Sequence, residues 1–297
     1  MSNVSQLEYE ILPDGTLCIT ESEDVAGDLV IPAQIDGRPV TVIGARAFEA
    51  NGELTSVTLP EGLTEIQRHA FCECESLCSI RLPSTLRCIG SSAFRACSLT
   101  ELTLPEGIEM IGETAFEGCE QLQALTLPDS LRILGPEAFS GCTGLEKAHI
   151  GSGVVCGGEP DSDEEFSFCS AFNECTALRE VTFSEGATVV GSAAFDQCTA
   201  LTDVRLPASM RRIADCAFRG CRALTALTLP EGVEAIDAYA FTHCTQLREL
   251  TLPASLRQIA SAGVLHNNPP ELVVRAPRDS YAASWAQAQG LRFEAAD

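Results

Sequence analysis

Basic residues are scarce in this sequence, and their scarcity excludes whole classes of partner. There are 19 Lys and Arg against 42 Asp and Glu, which gives a formal net charge of -23 at pH 7. Binding to nucleic acid depends on neutralising phosphates with basic side chains, so the composition argues against DNA and RNA. An anionic membrane surface is disfavoured for the same reason. Basic proteins remain possible partners, although solubility alone also explains a strongly acidic chain.

Long apolar runs are also missing, and with them any sign of membrane insertion. No stretch is long enough to span a bilayer, and residues 1–10 have neither the basic start nor the apolar run of a signal peptide. Taken as it stands, the sequence predicts a cytoplasmic protein. The alternative is a cell-surface or secreted protein whose leader has been removed.

Catalytic signatures are equally scarce. Only four histidines occur, and there is no metalloprotease His-Glu helix motif, Gly-x-Ser-x-Gly elbow, Walker loop or dinucleotide fingerprint. The polar positions vary evenly along the chain, whereas a catalytic site normally breaks a repeated pattern at one place. We therefore expect no catalytic residues, no enzymatic activity and no cofactor.

What the sequence has in abundance is one repeated unit. An Ala-Phe pair recurs every 23 residues, with one gap of 22 and one of 33, and its phenylalanines are Phe48, Phe71, Phe94, Phe116, Phe139, Phe172, Phe195, Phe218 and Phe241. A cysteine stands three residues after eight of these phenylalanines, and Asn51 takes its place in the first unit. A fixed period of roughly 20 to 50 residues is the signature of a stacked-repeat architecture.

Each unit contains a short strand that ends in proline, as in Val57-Thr58-Leu59-Pro60. Side chains alternate along a strand, so the first and third residues point inward and the second outward. The proline has no amide hydrogen and ends the pairing. Leu63 and Ile66 are then spaced by about one helical or 3₁₀ turn, which brings the chain round to the next strand. Strands of neighbouring units stack about 4.8 Å apart into one parallel sheet.

The consensus of one unit is represented by Cys74, Leu77, Ile80, Leu82, Pro83, Leu86, Ile89, Ala93 and Phe94. This pattern resembles the leucine-rich repeats of the BspA-like (Treponema pallidum-type) subclass, and the resemblance covers nearly the entire chain. It implies an α/β solenoid, a right-handed leucine-rich-repeat superhelix with one long parallel sheet on the concave face and short 3₁₀, helical or irregular segments on the convex face. It also implies a family of mostly bacterial surface or interaction proteins without catalytic residues.

The domain organisation follows from the unbroken period, which predicts a single domain over residues 1–297. A hairpin signal around Pro13-Asp14-Gly15 predicts an N-terminal cap over 1–28. Repeats of about 23 residues occupy 29–276, with an acidic insertion near 151–168. A helical cap occupies 277–297, where Tyr281 and Trp285 are expected to cover the open end of the core.

The 15 cysteines are expected to be free thiols. Eight of them share the repeated position after Phe, where stacked side chains run parallel about 4.8 Å apart, an arrangement that disulfide geometry disfavours. We expect these eight to be buried and to hydrogen-bond weakly to the backbone of the loop, as Asn51 does more strongly.

A zinc site could use His69 with Cys72, Cys74, Cys78 and Cys88, which have the right chemistry. Cys74, however, belongs to the core-facing cysteine column, and Cys72 and Cys78 fall on different parts of the repeat. The sequence therefore predicts that these side chains do not converge and that no metal binds there.

The candidate binding residues are the charged residues and the histidine at outward strand positions where other units have Thr or Ala, together with the acidic insertion. They are Arg81, Lys147, His149, Glu180 and Arg205 on the strands and Asp161, Asp163, Glu164 and Glu165 in the insertion. The insertion can be a solvated loop, a partner contact or a cation site, but it lacks the alternating ligands of an EF-hand.

The function that the sequence predicts is a noncatalytic scaffold for protein-protein interaction, whose partner and oligomeric state it does not specify. One alternative is a fragment of a secreted or cell-surface adhesin that binds host proteins. The other is a cation-binding or enzymatic module that uses the acidic insertion.

Overall fold

The 23-residue repeat forms one turn of a solenoid, which has about 11 turns. The computed structural model describes residues 7–22, 25–156 and 170–296. Most turns carry two short strands, and the strands of successive turns stack into two ranks, which we call the front rank and the back rank. The predicted solenoid is therefore confirmed, with two ranks of parallel strands where the sequence indicated a single sheet.

The front rank consists of the alternating segments that the sequence identified. Within the described residues its strands are Gly27–Val30, Leu54–Thr58, Ser79–Arg81, Ala124–Thr126, Lys147–Ile150, Glu180–Phe183, Asp203–Arg205, Ala226–Thr228, Glu249–Thr251, Val273–Ala276 and Arg292–Ala295. Parallel pairing is interrupted after Ser79–Arg81 and after Asp203–Arg205. The first interruption falls in the unit that is one residue short, where Leu102 and Leu104 are buried but form no strand, although their alternation predicts one.

The back rank lies where the sequence indicated a helical or 3₁₀ turn. Its strands are Arg38–Ile43, Glu65–Ile66, Cys88–Ile89, Met110–Ile111, Ile133–Leu134, Val155–Cys156, Val189–Val190, Arg212–Ile213, Ala235–Ile236 and Gln258–Ile259. Successive members pair in parallel, as Glu65–Ile66 does with Cys88–Ile89, except between Val155–Cys156 and Val189–Val190. Most are two residues long, which is too short for alternation to appear in the sequence.

Between each back strand and the next front strand the chain makes a tight turn around the Ala-Phe pair, and we call this side of the solenoid the turn edge. Amides of one turn donate to carbonyls of the next, as in the 2.8 Å bond from Phe48 N to the Ala70 oxygen. The residue two before each Phe has a positive φ, for example 58° at His69 and 51° at Ala193. The turn edge therefore adds a third ladder of backbone hydrogen bonds.

The phenylalanines form a continuous stack through the core. Neighbouring rings from Phe48 to Phe241 lie 4.9 to 5.7 Å apart between centroids, with planes within 14° of parallel. The stack continues past the short unit and past the insertion, because both length changes fall outside the Ala-Phe turns. Buried Leu and Ile side chains of the two ranks complete the core.

The cysteine column is buried and free, which confirms the expectation for it. The eight column thiols each donate from Sγ to the carbonyl oxygen of the Phe one turn earlier, over 3.0 to 3.3 Å. Burial raises the pKa of Cys74 to about 12 and that of Cys198 well above its ordinary value. Asn51 donates to the Val25 oxygen over 2.9 Å and also accepts two backbone amide hydrogens.

A hairpin covers the N-terminal end of the back rank. Leu7–Ile11 pairs antiparallel with Leu17–Ser22, which in turn pairs in parallel with Arg38–Ile43. A shorter hairpin joins Gln34–Ile35 to the start of the latter strand. The first strand pair thus protects a sheet edge that would otherwise remain open.

A helix and a final strand close the C-terminal end. The helix Tyr281–Ala288 begins at Ser280, whose hydroxyl accepts a hydrogen bond from the Ala283 amide over 3.1 Å. It buries small alanine side chains, and Trp285 packs partly buried against the core. The Tyr281 hydroxyl accepts a hydrogen bond over 3.4 Å from the amide of Ile259, in the last back strand, although the side chain is 43% exposed. Within the described residues, no helix has the length and apolar character needed to cross a membrane.

Candidate functional site

Four adjacent front strands, from Ala124–Thr126 to Asp203–Arg205, bring most of the predicted strand candidates onto one surface. Two outward columns cross the last three of these strands, with Lys147, Glu180 and Asp203 in one and His149, Thr182 and Arg205 in the other. The register follows from the repeat, because equivalent residues of successive turns stand side by side in a parallel sheet.

Lys147, Glu180, Asp203 and Arg205 form what we call the charged cluster. Glu180 lies between the two cations, with one oxygen 3.0 Å from Lys147 Nζ and the other 3.5 Å from an Arg205 nitrogen. Arg205 also pairs with Asp203 over 2.6 Å, and this hydrogen bond is the main reason that the pKa of Arg205 is raised. Lys147 and Arg205 are 67% and 65% exposed, so the pairs orient the side chains and add little to stability.

His149 is not a free contact residue. Its Nδ1 lies 2.8 Å from the Thr182 hydroxyl and its Nε2 lies 3.1 Å from the Ser184 hydroxyl. Ser184 also hydrogen-bonds Asp129, whose pKa is lowered mainly by the Ser152 amide and then by the hydroxyls of Ser184 and Ser152. His149 therefore ties adjacent turns together and supports the surface beside the charged cluster.

Arg81 lies apart from the other strand candidates. It belongs to the three-stranded N-terminal part of the front rank, beside Thr58. The outward positions Thr103 and Thr126 separate it from His149, so the distance is three turns, or roughly 14 Å at the usual strand spacing. Within the described residues, the Arg81 side chain has no ion-pair partner. The structure thus groups Lys147, His149, Glu180 and Arg205 and leaves Arg81 outside.

The acidic candidates Asp161, Asp163, Glu164 and Glu165 lie outside the described residues, and their role stays a prediction. The insertion leaves the described chain after Val155–Cys156, a back strand, and returns at Ser170 on the turn edge. It interrupts the back rank between Val155–Cys156 and Val189–Val190, while the front rank continues through this region. One end of the insertion therefore lies on the back rank and the other on the turn edge, whereas the charged cluster lies on the front rank.

A recess of about 310 Å³ opens on the same front face, where the short unit breaks the strand pairing. Its lining is Leu102, Thr103, Leu104, Glu106, Ala124, Leu125, Thr126 and Pro128. Ala124 stands beside Lys147 and Thr126 beside His149, so the recess borders the charged cluster directly. The sequence pattern did not predict this recess, although the 22-residue gap between Phe94 and Phe116 marks its position.

The sequence prediction that His69 and the nearby cysteines do not converge is wrong in one respect. His69 and Cys72 lie together on the turn edge, and Glu49 of the preceding turn joins them. The expectation holds for Cys74, which is buried in the cysteine column, and for Cys88, which lies in a back strand. The spacing of residues did not predict that Glu49 joins this group, because its contact with His69 and Cys72 depends on how neighbouring turns stack.

Comparison with known proteins agrees with this architecture. The model of the BspA type leucine-rich repeat region matches residues 41–156 and 168–267 in six copies. No curated protein matches the chain.

Solved structures extend the comparison. The crystal structure of a leucine-rich repeat protein from T. pallidum is similar at a TM-score of 0.58 and 26% identity, over 74% of this chain and 89% of that one. A leucine-rich repeat protein from Bacteroides ovatus has a TM-score of 0.39 and 24% identity over 98% of both chains. The pneumococcal vaccine antigen PcpA has a TM-score of 0.46 and 19% identity over 98% of this chain and 97% of that one.

Proposed function

This chain belongs to the BspA-type leucine-rich repeat family, and from that premise we propose that it is a noncatalytic scaffold that binds a protein partner on its front face. The observation that carries the proposal is the juxtaposition of the recess and the charged cluster on four adjacent strands. A recess lined by leucine, alanine and proline together with threonine and Glu106, beside oriented charges, has the layout of a protein interface, in which a desolvated centre adjoins a polar rim.

The two parts of this surface have different roles in the proposal. The recess receives an apolar or aromatic anchor of the partner, since buried anchors in pockets contribute most of the affinity at interfaces. The charged cluster fixes the orientation of the partner, because Lys147 and Arg205 are held by Glu180 and Asp203. The net charge of -23 favours a basic partner and predicts that association slows as salt is added.

The test is site-specific photo-crosslinking in cells of the source organism, with the reactive residue at Thr126 or at Thr228. Thr126 belongs to the strand Ala124–Thr126 and Thr228 to Ala226–Thr228; both strands read Ala-Leu-Thr and have the same burial pattern. Only Thr126 lines the recess. We expect a partner to be captured from Thr126 and not from Thr228.

A matched pair of substitutions then measures affinity for the captured partner. Thr126→Arg fills the recess and is expected to weaken binding, whereas Thr228→Arg is expected to leave binding unchanged. Equal capture from both positions, or unchanged affinity in Thr126→Arg with an unchanged melting temperature, would contradict a site in the recess.

The cell compartment is a further part of the proposal. The 13 cysteines whose side chains the structure describes are free, which favours a reducing compartment and hence the cytoplasmic alternative over the cell surface. Labelling intact cells with a membrane-impermeant maleimide at the exposed Cys78 distinguishes the two. Labelling of Cys78 in intact cells would instead support the surface-adhesin alternative.

A further inference from the structure

Three side chains with metal-binding chemistry meet on the turn edge near the N-terminal end. One ligand atom each from Glu49, His69 and Cys72 lies within 4.8 Å of the others, and His69 Nδ1 is 3.6 Å from a Glu49 carboxylate oxygen. His69 stands two residues before Phe71 and Cys72 one residue after it, so both face the same side of one turn. Glu49 holds the position of Cys72 in the preceding turn, and stacking brings the three together.

The imidazole of His69 makes no hydrogen bond through Nδ1 to any described residue, because the Glu49 oxygen at 3.6 Å is beyond hydrogen-bond distance. Its Nδ1 is buried and has no hydrogen-bond partner within the described residues. A buried polar atom without a partner is uncommon in folded proteins and calls for an explanation, of which an absent ion is one. Since the atom is aimed at Glu49 and Cys72, a cation held by all three would supply what it lacks.

From this geometry we propose that Glu49, His69 and Cys72 form a binding site for a single zinc ion. Imidazole nitrogen, thiolate sulfur and carboxylate oxygen are the ligands that zinc takes in proteins, and three protein ligands leave a fourth position for water. Zinc bonds of about 2.0–2.3 Å place the ligand atoms of a tetrahedral site roughly 3.4–3.8 Å apart. The group is therefore at most about 1.5 Å wider than a loaded site, and the exposed Glu49 side chain can rotate to close it.

The surrounding charges suit a site that carries both a thiolate and a carboxylate. Arg95 lies against Cys72 and also pairs with Glu73, so it can donate to a metal-bound sulfur. Arg46 pairs with Glu49 over 3.6 Å. Without metal these two arginines lie beside the same side chains, so closing the site requires only the rotation of Glu49.

The test is metal binding by the purified, chelator-treated full chain. Cobalt serves as the spectroscopic probe, because a tetrahedral site with a cysteine ligand shows visible d–d bands and a thiolate-to-metal charge-transfer band. Zinc is then titrated against bound cobalt to give its affinity. We expect one equivalent of cobalt with both bands and its displacement by zinc.

The repeat itself supplies substitutions that its turns tolerate. His69→Ala places at 69 the residue that occurs naturally at Ala193, which has the same turn position and a φ of 51°. Cys72→Ser copies Ser140, which holds the equivalent position in a later turn. Each of these variants is expected to weaken zinc binding at least about tenfold. Glu117→Gln is the matched control, since Glu117 has the turn position of Glu49 without a neighbouring His, and we expect it to bind zinc as the wild type does.

Two results would overturn the proposal. One is a wild-type chain that gives no cobalt bands. The other is unchanged zinc affinity in both His69→Ala and Cys72→Ser, which would locate any bound metal among other side chains. The measurement needs no protein partner, so its outcome is independent of the scaffold function proposed above.

Discussion

Phe139 lies in the middle of the phenylalanine stack, and we expect its replacement by alanine to divide the solenoid into two weakly coupled halves. The ring is fully buried, with Phe116 at 5.0 Å and Phe172 at 5.6 Å between centroids. Removing a buried Phe side chain lowers the free energy of unfolding by about 3–5 kcal/mol. Phe48 is the matched control, because it stacks on one ring only, Phe71. Phe139→Ala is therefore expected to cost about 0.5–1.5 kcal/mol more than Phe48→Ala.

The position of Phe139 makes the loss of coupling visible. Stability in a solenoid is approximately a sum of interfaces between neighbouring turns. Next to Phe139 the back rank is already interrupted between Val155–Cys156 and Val189–Val190, so the stack, the front rank and the turn-edge hydrogen bonds carry the coupling there. Removal of one ring consequently weakens a junction that already lacks the strand pairing of the back rank.

Urea denaturation with two probes measures this effect. Far-ultraviolet circular dichroism follows all turns, whereas fluorescence of Trp285, the only tryptophan, reports the C-terminal end alone. We expect Phe139→Ala to unfold in two steps of comparable dichroism amplitude, only one of which coincides with the fluorescence change. In Phe48→Ala we expect the first unfolding step to have a small dichroism amplitude, because only the N-terminal turns unfold in it. A single coincident transition in Phe139→Ala, with a midpoint no lower than that of Phe48→Ala, would refute the reasoning.

Three further predictions concern buried polar groups. Burial raises the pKa of the column thiols, Cys74 to about 12, so above about pH 9 the unfolded chain loses thiol protons that the folded chain keeps. The free energy of unfolding is therefore expected to fall from pH 9 towards pH 12 by up to about 1.4 kcal/mol per pH unit for each thiol. Urea midpoints should fall with it, and constant midpoints would contradict this. Asn51→Ala is expected to lower the free energy of unfolding by about 1–3 kcal/mol, because the Asn51 side chain hydrogen-bonds three backbone groups. Cys74→Ala is expected to lower it by less, because Cys74 makes one such bond, and urea denaturation of the two variants compares them directly. Arg219→Ala removes the ion-pair partner of the Asp196 carboxylate, which is 6% exposed. We expect calorimetry to show that the free energy of unfolding falls by about 1–3 kcal/mol. For Arg205→Ala, whose side chain is exposed, we expect a fall of less than about 1 kcal/mol.

The sequence by itself determined the repeat, the core and the free state of the eight column cysteines. The 23-residue spacing of the Ala-Phe pairs allows only a stacked architecture, because a unit with one apolar face has to bury that face on its neighbours. The same regularity placed eight thiols in one column with parallel side chains, and this geometry opposes disulfides whatever the details of the turn. Such conclusions depend on period and composition, which a single chain displays fully.

Only the tertiary structure decided which side chains meet between turns. The back rank escaped prediction because strands such as Glu65–Ile66 are too short to alternate and are defined by pairing with the next turn. The recess depends on the lost pairing in the short unit, and the approach of Glu49 to His69 depends on the offset between two stacked turns. These contacts join residues about 20 or more positions apart, and the small offset that creates them is set by packing, which the spacing of residues along the chain does not record.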